Sequence, residues 1–162
     1  RLVTEGVADG DTRFTYAIGQ LVLWSADPAL DLRDPVAALR AARHVAIANP
    51  AIAPYGKAAE QTLAFLNLSD ISDRLVTGEN IGQTYALVAS RAAELGFVAG
   101  SAVTDGSGAS WIVPADHHDP IRQDAVLLAH GAGNPAATAF LDYLRSAAAA
   151  PVIARFGYAT AP

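Results

Sequence analysis

Short apolar runs alternate with longer segments whose apolar residues recur at helical spacing between Ile18 and Ala99. The runs are typical of buried strands in a parallel sheet, and the longer segments are typical of amphipathic helices. This alternation predicts an α/β fold with a mostly parallel sheet and right-handed crossovers. We predict strands at Ile18–Trp24, His44–Ala48, Arg74–Thr77 and Leu95–Ala99, and helices starting near Asp34 and spanning Pro54–Leu66 and Asn80–Glu94.

The pattern changes after Ala99, where Gly, Pro and Asp separate shorter apolar runs. Residues 1–6 are typical of a helix that ends in Gly6. Asn-Pro before an apolar stripe indicates a helix start. We predict a linker or hairpin at Thr104–Gly108, strands at Ser110–Val113 and Ala125–Ala129, a helix opened by Asn134, and a last helix over about Pro151–Phe156 that stops at Gly157.

Composition limits the classes of function. With 162 residues, of which 52% are hydrophobic, the chain can bury a core as one domain or two small lobes. The absence of cysteine excludes disulfides and thiolate metal sites. A net charge of −5, with the eleven basic residues scattered, argues against nucleic acid as a partner. It does not exclude an anionic ligand, because neutral N–H and O–H dipoles can hold a buried oxyanion.

The segment Asn49–Lys57 joins a predicted strand to a predicted helix. Ligands of open α/β sheets bind at the carboxyl ends of strands, and the first amides of a helix favour anions. The Tyr55 amide, together with Gly56, is therefore a candidate donor to an oxyanion, with Pro54 holding the turn rigid. The alternative is an ordinary strand-to-helix turn.

A second junction of the same kind begins at Asn80, directly after another short strand. Asn80 can cap the helix with its side chain, which leaves the Ile81 and Gly82 amides pointing outward. A plain capped helix is the alternative. Two such N-termini facing one cleft would make an anion site more credible.

The sequence offers few catalytic or metal-binding groups. His117 and His118, flanked by Asp116 and Asp119, suit a divalent ion by residue type, but adjacent residues on an extended loop point in opposite directions, so a solvated loop is favoured. The nucleophile elbow G-x-S-x-G and both glycine-rich nucleotide motifs are absent. We therefore predict a binding protein without cofactor, metal or catalytic residues.

Several segments, taken in order, resemble the periplasmic molybdate-binding proteins of ABC transporters. Any one segment would be weak evidence for the family, but together they cover nearly the whole chain. They are Tyr16–Ser25, Ala46–Pro50 with Ala53–Gly56, Glu79–Thr84, Glu94–Ala99, and Phe140–Leu144 with Ala154–Tyr158.

The resemblance implies a type II periplasmic-binding-protein fold with one complete lobe and part of a second. Residues 18–102 would form lobe 2, whereas residues 1–17 and 103–162 would belong to lobe 1. Tyr55 and Ile81 would donate backbone amides to a molybdate or tungstate ion in the interlobe cleft, beside Asn80 and Gly56. The protein would act in the periplasm and deliver the oxyanion to a membrane permease.

Two departures from the family pattern qualify this expectation. Some members place a Tyr hydroxyl at the position of Ala99, so another group would have to replace it, for which the Tyr55 hydroxyl is a candidate. The serine-rich loops with which family members begin are also missing, so the chain resembles the last two-thirds of the protein and would hold half of the donors. Such a truncated chain would expose sheet edges and apolar helix faces. We expect it either to bind the anion poorly or to be ordered through self-association.

Alternative functions remain open from the sequence. A binding protein for sulfate or phosphate would use the same kind of donors. An effector-sensing domain of a transcriptional regulator shares the bilobal architecture and would need a DNA-binding segment upstream. An enzyme on this fold would need a catalytic group in the cleft, where Tyr55, Asn80 and Thr84 are the polar candidates.

Overall fold

The computed structural model describes residues 1–160, which divide into two compact units. Unit 1 comprises residues 1–19 and the described residues from 122 onward, and unit 2 comprises Gln20–Ile121. No helix among the described residues is long and apolar enough to cross a membrane.

Unit 2 is built on a five-stranded mixed sheet in the order β4-β3-β5-β2-β6. Strand β3 is parallel to β4 and to β5, whereas β2 is antiparallel to both β5 and β6. Every residue of β2, β3 and β5 is buried, as their continuous apolar sequences predict. The strands are β2 (Leu21–Ser25), β3 (Val45–Ala48), β4 (Leu75–Gly78), β5 (Leu95–Ala99) and β6 (Ala109–Ile112).

The α/β class is confirmed, but the sheet is less parallel than predicted. The strand that opens unit 2 runs antiparallel to its neighbour β5, so only β4, β3 and β5 form a parallel group. A strand buried on both faces is apolar throughout whichever way it runs. The sequence pattern therefore locates β2 without giving its direction.

Three helices cover the sheet of unit 2: α1 (Pro35–Ala41), α2 (Pro54–Phe65) and α3 (Ile81–Ala89). Helix α1 begins as predicted, with the Asp34 carboxylate accepting the Ala37 amide at 2.9 Å. Helix α3 ends earlier than the predicted Glu94. Ser90 caps it and Arg91 adopts a left-handed φ of 61°, which stops the helix before β5.

The core of unit 2 lies on both faces of its sheet. Because alternate strand residues point to opposite faces, Leu21 and Leu23 join the cluster that contains Leu63 of α2. Val22 and Trp24 join the other cluster, with Val88 of α3. Helices α2 and α3 are thus fixed by burial on opposite sides of the same strands.

Unit 1 holds a three-stranded sheet in the order β7-β1-β8. Strand β1 was predicted only at its last two residues, because polar side chains occupy most of its first half. Helix α4 starts as predicted, with the Asn134 side chain accepting the Ala136 amide at 3.0 Å. Its elements are β1 (Ala8–Gly19), β7 (Ile121–Leu128), α4 (Pro135–Arg145), α5 (Ala150–Arg155) and β8 (Tyr158–Thr160).

The first residues form a single helical turn that closes at Gly6, as predicted. The Val7 amide donates to the Leu2 carbonyl at 3.0 Å and the Gly6 amide to the Val3 carbonyl at 3.0 Å. Gly6 has a φ of 70°, so the turn closes at a glycine in the left-handed conformation, and no helix precedes β1 in the described residues.

The division into units differs from the predicted boundary at residue 102. Strand β6 pairs with β2, with Trp111 opposite Leu23, so residues 103–121 belong to unit 2 rather than to the returning segment. The first boundary, after Gly19, lies two residues beyond the predicted one at Ala17.

Candidate ligand-binding site

The first junction connects β3 to α2 through a turn built on Asn49. The Asn49 carbonyl accepts the amides of Ile52 at 3.2 Å and Ala53 at 2.9 Å, and the Asn49 side chain accepts the Ala51 amide at 3.0 Å. Ala53 occupies the N-cap position and offers no side-chain acceptor to the helix. The start of α2 therefore presents main-chain groups alone.

Tyr55 is the second residue of α2, after Pro54, which has no amide hydrogen. In that position the helix geometry directs the amide away from the helix and along its axis. The Tyr55 side chain is buried and belongs to the core cluster of unit 2. Core packing thus anchors the turn from which the proposed donor amide projects.

The structure shows why position 56 is a glycine, which the sequence did not reveal. A Cβ atom at this position would overlap the Ala48 carbonyl oxygen at the end of β3. The Gly56 amide donates to the Ala53 carbonyl at 3.0 Å. Gly56 therefore allows close packing of helix on strand, and its role as a second donor beside Tyr55 stays a prediction.

The second junction connects β4 to α3 through a reciprocal cap. The Asn80 side chain accepts the Gln83 amide at 2.9 Å, and the Gln83 side chain accepts the Glu79 amide at 2.6 Å. The predicted N-cap role of Asn80 is confirmed. Because its side-chain oxygen is used in this cap, Asn80 shapes the site through the helix start.

The amides of Ile81 and Gly82 are the first two of α3, and neither has a hydrogen-bond acceptor within residues 1–160. Ile81 is half-buried and Gly82 is exposed. The sequence predicted that these two amides point outward from this junction, and their contact with a ligand stays a prediction.

The two junctions lie side by side at one edge of the sheet. Ala48 is opposite Gly78 in the parallel pair, and the Asn49 amide donates to the Gly78 carbonyl at 2.8 Å. Neighbouring strands are about 4.8 Å apart, so β3 and β4 end one strand spacing from each other, and α2 and α3 start from the turns that follow these two ends. Both helix N-termini, each the positive end of a helix dipole, therefore follow strands that end at the same edge of the sheet.

Gly78 is a contributor that the sequence analysis missed. A Cβ atom there would come within 2.9 Å of the Thr84 amide nitrogen and hydroxyl, so glycine lets α3 start close to the strand end. The Thr84 hydroxyl donates to the Asn80 carbonyl at 3.0 Å and is fully buried. The sequence signal for this role was a glycine between a short strand and an Asn cap.

The histidine pair lies on a loop that packs against α2. The His117 ring stacks on Phe65 with 4.0 Å between ring centroids, and Nδ1 of His118 lies 2.7 Å from the Asp119 carbonyl oxygen. Within residues 1–160, no three His, Cys, Asp or Glu side chains are grouped to hold a metal ion. His117 is thus a packing residue.

A family model described as bacterial extracellular solute-binding protein matches residues 1–159. The chain belongs to this family. The family and fold expected from the sequence segments are thereby confirmed.

Two relatives of this solute-binding protein are molybdate-binding proteins named ModA. The one from Azotobacter vinelandii is 49% identical over 164 residues, and the one from Rhodobacter capsulatus is 47% identical over 163 residues. The alignments cover 98% and 99% of this chain. The chain spans 65% and 64% of the length of these two relatives.

Solved structures of solute-binding proteins share the fold. The periplasmic molybdate-binding protein of Azotobacter vinelandii matches with a TM-score of 0.88 and 38% identity, over 99% of this chain and 73% of that chain. The sulfate-binding protein SubI from Mycobacterium tuberculosis matches with a TM-score of 0.66, over 97% of this chain and 63% of that chain. At 16% identity the second match shows the fold alone.

Proposed function

We propose that this chain is part of the substrate-binding protein of a molybdate or tungstate ABC importer. The observation that carries the proposal is that α2 and α3 follow neighbouring strands, β3 and β4, whose ends are joined by the hydrogen bond from the Asn49 amide to the Gly78 carbonyl. The names of the two curated relatives support molybdate as the ion.

The donors proposed for the oxyanion are the Tyr55 amide of α2 and the Ile81 amide of α3. Each helix N-terminus carries a partial positive charge of roughly half an elementary charge, and in this proposal both act on the bound ion. No charged side chain is needed, because fixed dipoles act strongly at short range. The net charge of −5 on the whole chain does not oppose binding, since exposed charges beyond about 10 Å are screened by salt.

The proposed role is capture and delivery without chemistry. The protein would act in the periplasm and present the oxyanion to a membrane permease. The relatives are named as binding proteins, which supports this role over that of an enzyme or a transcriptional regulator.

Selectivity against sulfate would depend on the size of the site. Molybdate, tungstate and sulfate are doubly charged tetrahedra that use the same donors, so charge and geometry do not separate them. The donors are main-chain amides of helices that are anchored in a core, so the site cannot contract easily around a smaller ion. This favours the larger oxyanions.

Isothermal titration calorimetry of the native protein tests the proposal. We expect molybdate and tungstate to bind tightly, and sulfate and phosphate at least about tenfold more weakly, which corresponds to about 1.4 kcal/mol. Tighter binding of phosphate or sulfate than of molybdate would contradict the proposed ligand. If none of the four ions binds, the oxyanion site itself is contradicted.

A further inference from the structure

A short loop lies along one stripe of the proposed ligand-binding helix. We name residues 117–119 the latch. The latch contacts Lys57, Gln61 and Phe65 of α2, which are spaced four residues apart and therefore share one face of the helix.

The central contact of the latch is a reciprocal pair of hydrogen bonds. The Gln61 side-chain amide donates to the Asp119 carboxylate at 2.7 Å, and the Asp119 backbone amide donates to the Gln61 side-chain oxygen at 3.0 Å. These two residues are 58 positions apart in sequence. The pair therefore holds α2 to a remote part of unit 2.

The two flanking contacts extend the latch along the helix. Nζ of Lys57 lies 3.8 Å from the Asp119 carboxylate, only two residues after the proposed donor Tyr55. At the other end, the rings of Phe65 and His117 stack with an interplanar angle of 23°. Asp119 thus reaches the first turn of α2, whose N-cap Ala53 provides no side-chain hydrogen bond.

We infer that the latch sets the position of the first turn of α2 and that Asp119 is a positioning residue for oxyanion binding. The effect of the latch on oxyanion binding rests on the proposed function. A donor amide stabilises an anion only at hydrogen-bond distance, so a small displacement of α2 weakens the bond. The hydrogen bonds with Gln61 set this position, and the ion pair with Lys57 adds little because both side chains are exposed.

Three variants of the native protein separate hydrogen bonding from charge. Gln61→Ala removes both hydrogen bonds, and Asp119→Ala removes the one to the carboxylate and leaves the backbone amide of residue 119. We expect the molybdate dissociation constant to rise at least about fivefold in both. Asp119→Asn keeps an acceptor for Gln61 and a backbone donor while it removes the charge on the carboxylate. We expect its dissociation constant to stay within about twofold of the wild-type value.

Asn134→Ala is the control for a general loss of stability, since it removes a helix cap in unit 1. We expect its molybdate affinity to equal that of the wild type. Wild-type affinity in Asp119→Ala would overturn the inference. An equal loss in Asp119→Asn and Asp119→Ala would also overturn it, because the charge would then be the cause.

Amide hydrogen exchange without any oxyanion tests the latch separately from the proposed function. We expect the Gly56 and Lys57 amides to exchange about fivefold faster in Asp119→Ala than in the wild type, and at the wild-type rate in Asp119→Asn. Unchanged exchange in Asp119→Ala would refute the latch even if molybdate binds. Faster exchange with no oxyanion bound by the wild type would refute the proposed function and leave the latch supported.

Discussion

Two glycines set how closely the site helices approach the strands. Gly56 lies against the end of β3 and Gly78 lies against the first turn of α3, and neither position has room for a Cβ atom without a shift. Neither glycine has a positive φ, so space rather than backbone conformation explains them.

Gly56→Ala tests this close approach. The added methyl group would overlap the Ala48 carbonyl oxygen, so α2 must move outward, and we expect the free energy of unfolding to fall by about 2 kcal/mol. Gly133→Ala is the control, since nothing lies within 4 Å of its added Cβ, and its effect should stay within about 0.5 kcal/mol. Equal stabilities of the two variants in urea denaturation would contradict the packing argument.

Ile81→Pro tests the main-chain donor of α3 directly. Proline removes the amide hydrogen yet suits the first position of a helix, and the extended backbone of Asn80, at φ −149° and ψ 172°, accepts a following proline. We expect molybdate affinity to fall about tenfold or more while the thermal unfolding temperature is retained.

The control is Ile81→Val, which keeps the amide and should bind like the wild type. Wild-type affinity in the proline variant would rule out the Ile81 amide as a donor. The corresponding Tyr55→Pro change is less informative. It also removes a core side chain and places a proline after Pro54, which disfavours helical backbone at that residue.

Asp124 links two strands of unit 1 and makes stability depend on pH. Its carboxylate accepts the Thr15 hydroxyl at 2.7 Å and the Arg13 guanidinium at 2.7 Å, and these partners hold its pKa below the ordinary value of 3.8. A lowered pKa in the folded state stabilises the protein above the ordinary value, and this stabilisation is lost as the pH falls through the folded-state pKa.

We expect Asp124→Asn to lower the free energy of unfolding at neutral pH and to flatten its decline below about pH 4. Denaturant unfolding at neutral pH and at a series of acidic pH values measures both effects. A variant that loses stability on acidification as steeply as the wild type would show that other carboxyl groups control the decline.

Elements were predictable where their boundaries follow local chemistry. Asp34, Asn80 and Asn134 each stand before a helix, and each caps its helix in the structure. The early end of α3 was not predictable, because Arg91 has no sequence signature of the left-handed conformation. The polar sequence of β1 hid most of a strand whose partners are distant in sequence.

The left-handed backbone of Arg91 leads to a prediction for α3. Left-handed backbone costs a residue with a Cβ atom about 1 kcal/mol, and Arg91 is exposed, without an ion pair within residues 1–160. Arg91→Gly should therefore raise the free energy of unfolding by up to about 1 kcal/mol. Ser90→Gly, where the backbone is right-handed with φ −80°, should lower it instead. Thermal unfolding of both variants measures these changes in stability. A loss of stability in Arg91→Gly would contradict the prediction.

The two units differ in how well their apolar side chains are covered. Most of the large apolar side chains that are exposed in the described part of the chain belong to unit 1, including Phe140 at 60% and Phe156 at 53% exposure. Helix α4 has no buried residue. Contiguous exposed apolar surface favours association.

We therefore expect residues 1–162, prepared alone, to associate as the concentration rises, as measured by static light scattering. Phe140→Ser should weaken this association. Ile52→Ser should leave it unchanged, since Ile52 is 71% exposed but lies in unit 2. A monomer over the whole concentration range would refute the prediction.

The arrangement of elements in the sheet was harder to predict than the elements themselves. The sequence located β6, but pairing with β2 placed it in unit 2 and moved the boundary from 102 to 121. The Tyr55 and Ile81 junctions were predictable because a strand, a turn and a helix cap are adjacent in sequence. The latch was not, since Gln61 and Asp119 meet only after folding.

Because the proposed donors are main-chain amides, mutation should affect this site in an unusual pattern. Ile81 can be exchanged for many residues without loss of its N–H, and only proline removes it. The positions most sensitive to substitution are Gly56 and Gly78. In this scheme they touch no ligand, but a larger side chain at either would displace a helix. Selection on such a site preserves where two helices begin, and the side chains of the donor residues are constrained by packing rather than by contact with the ion.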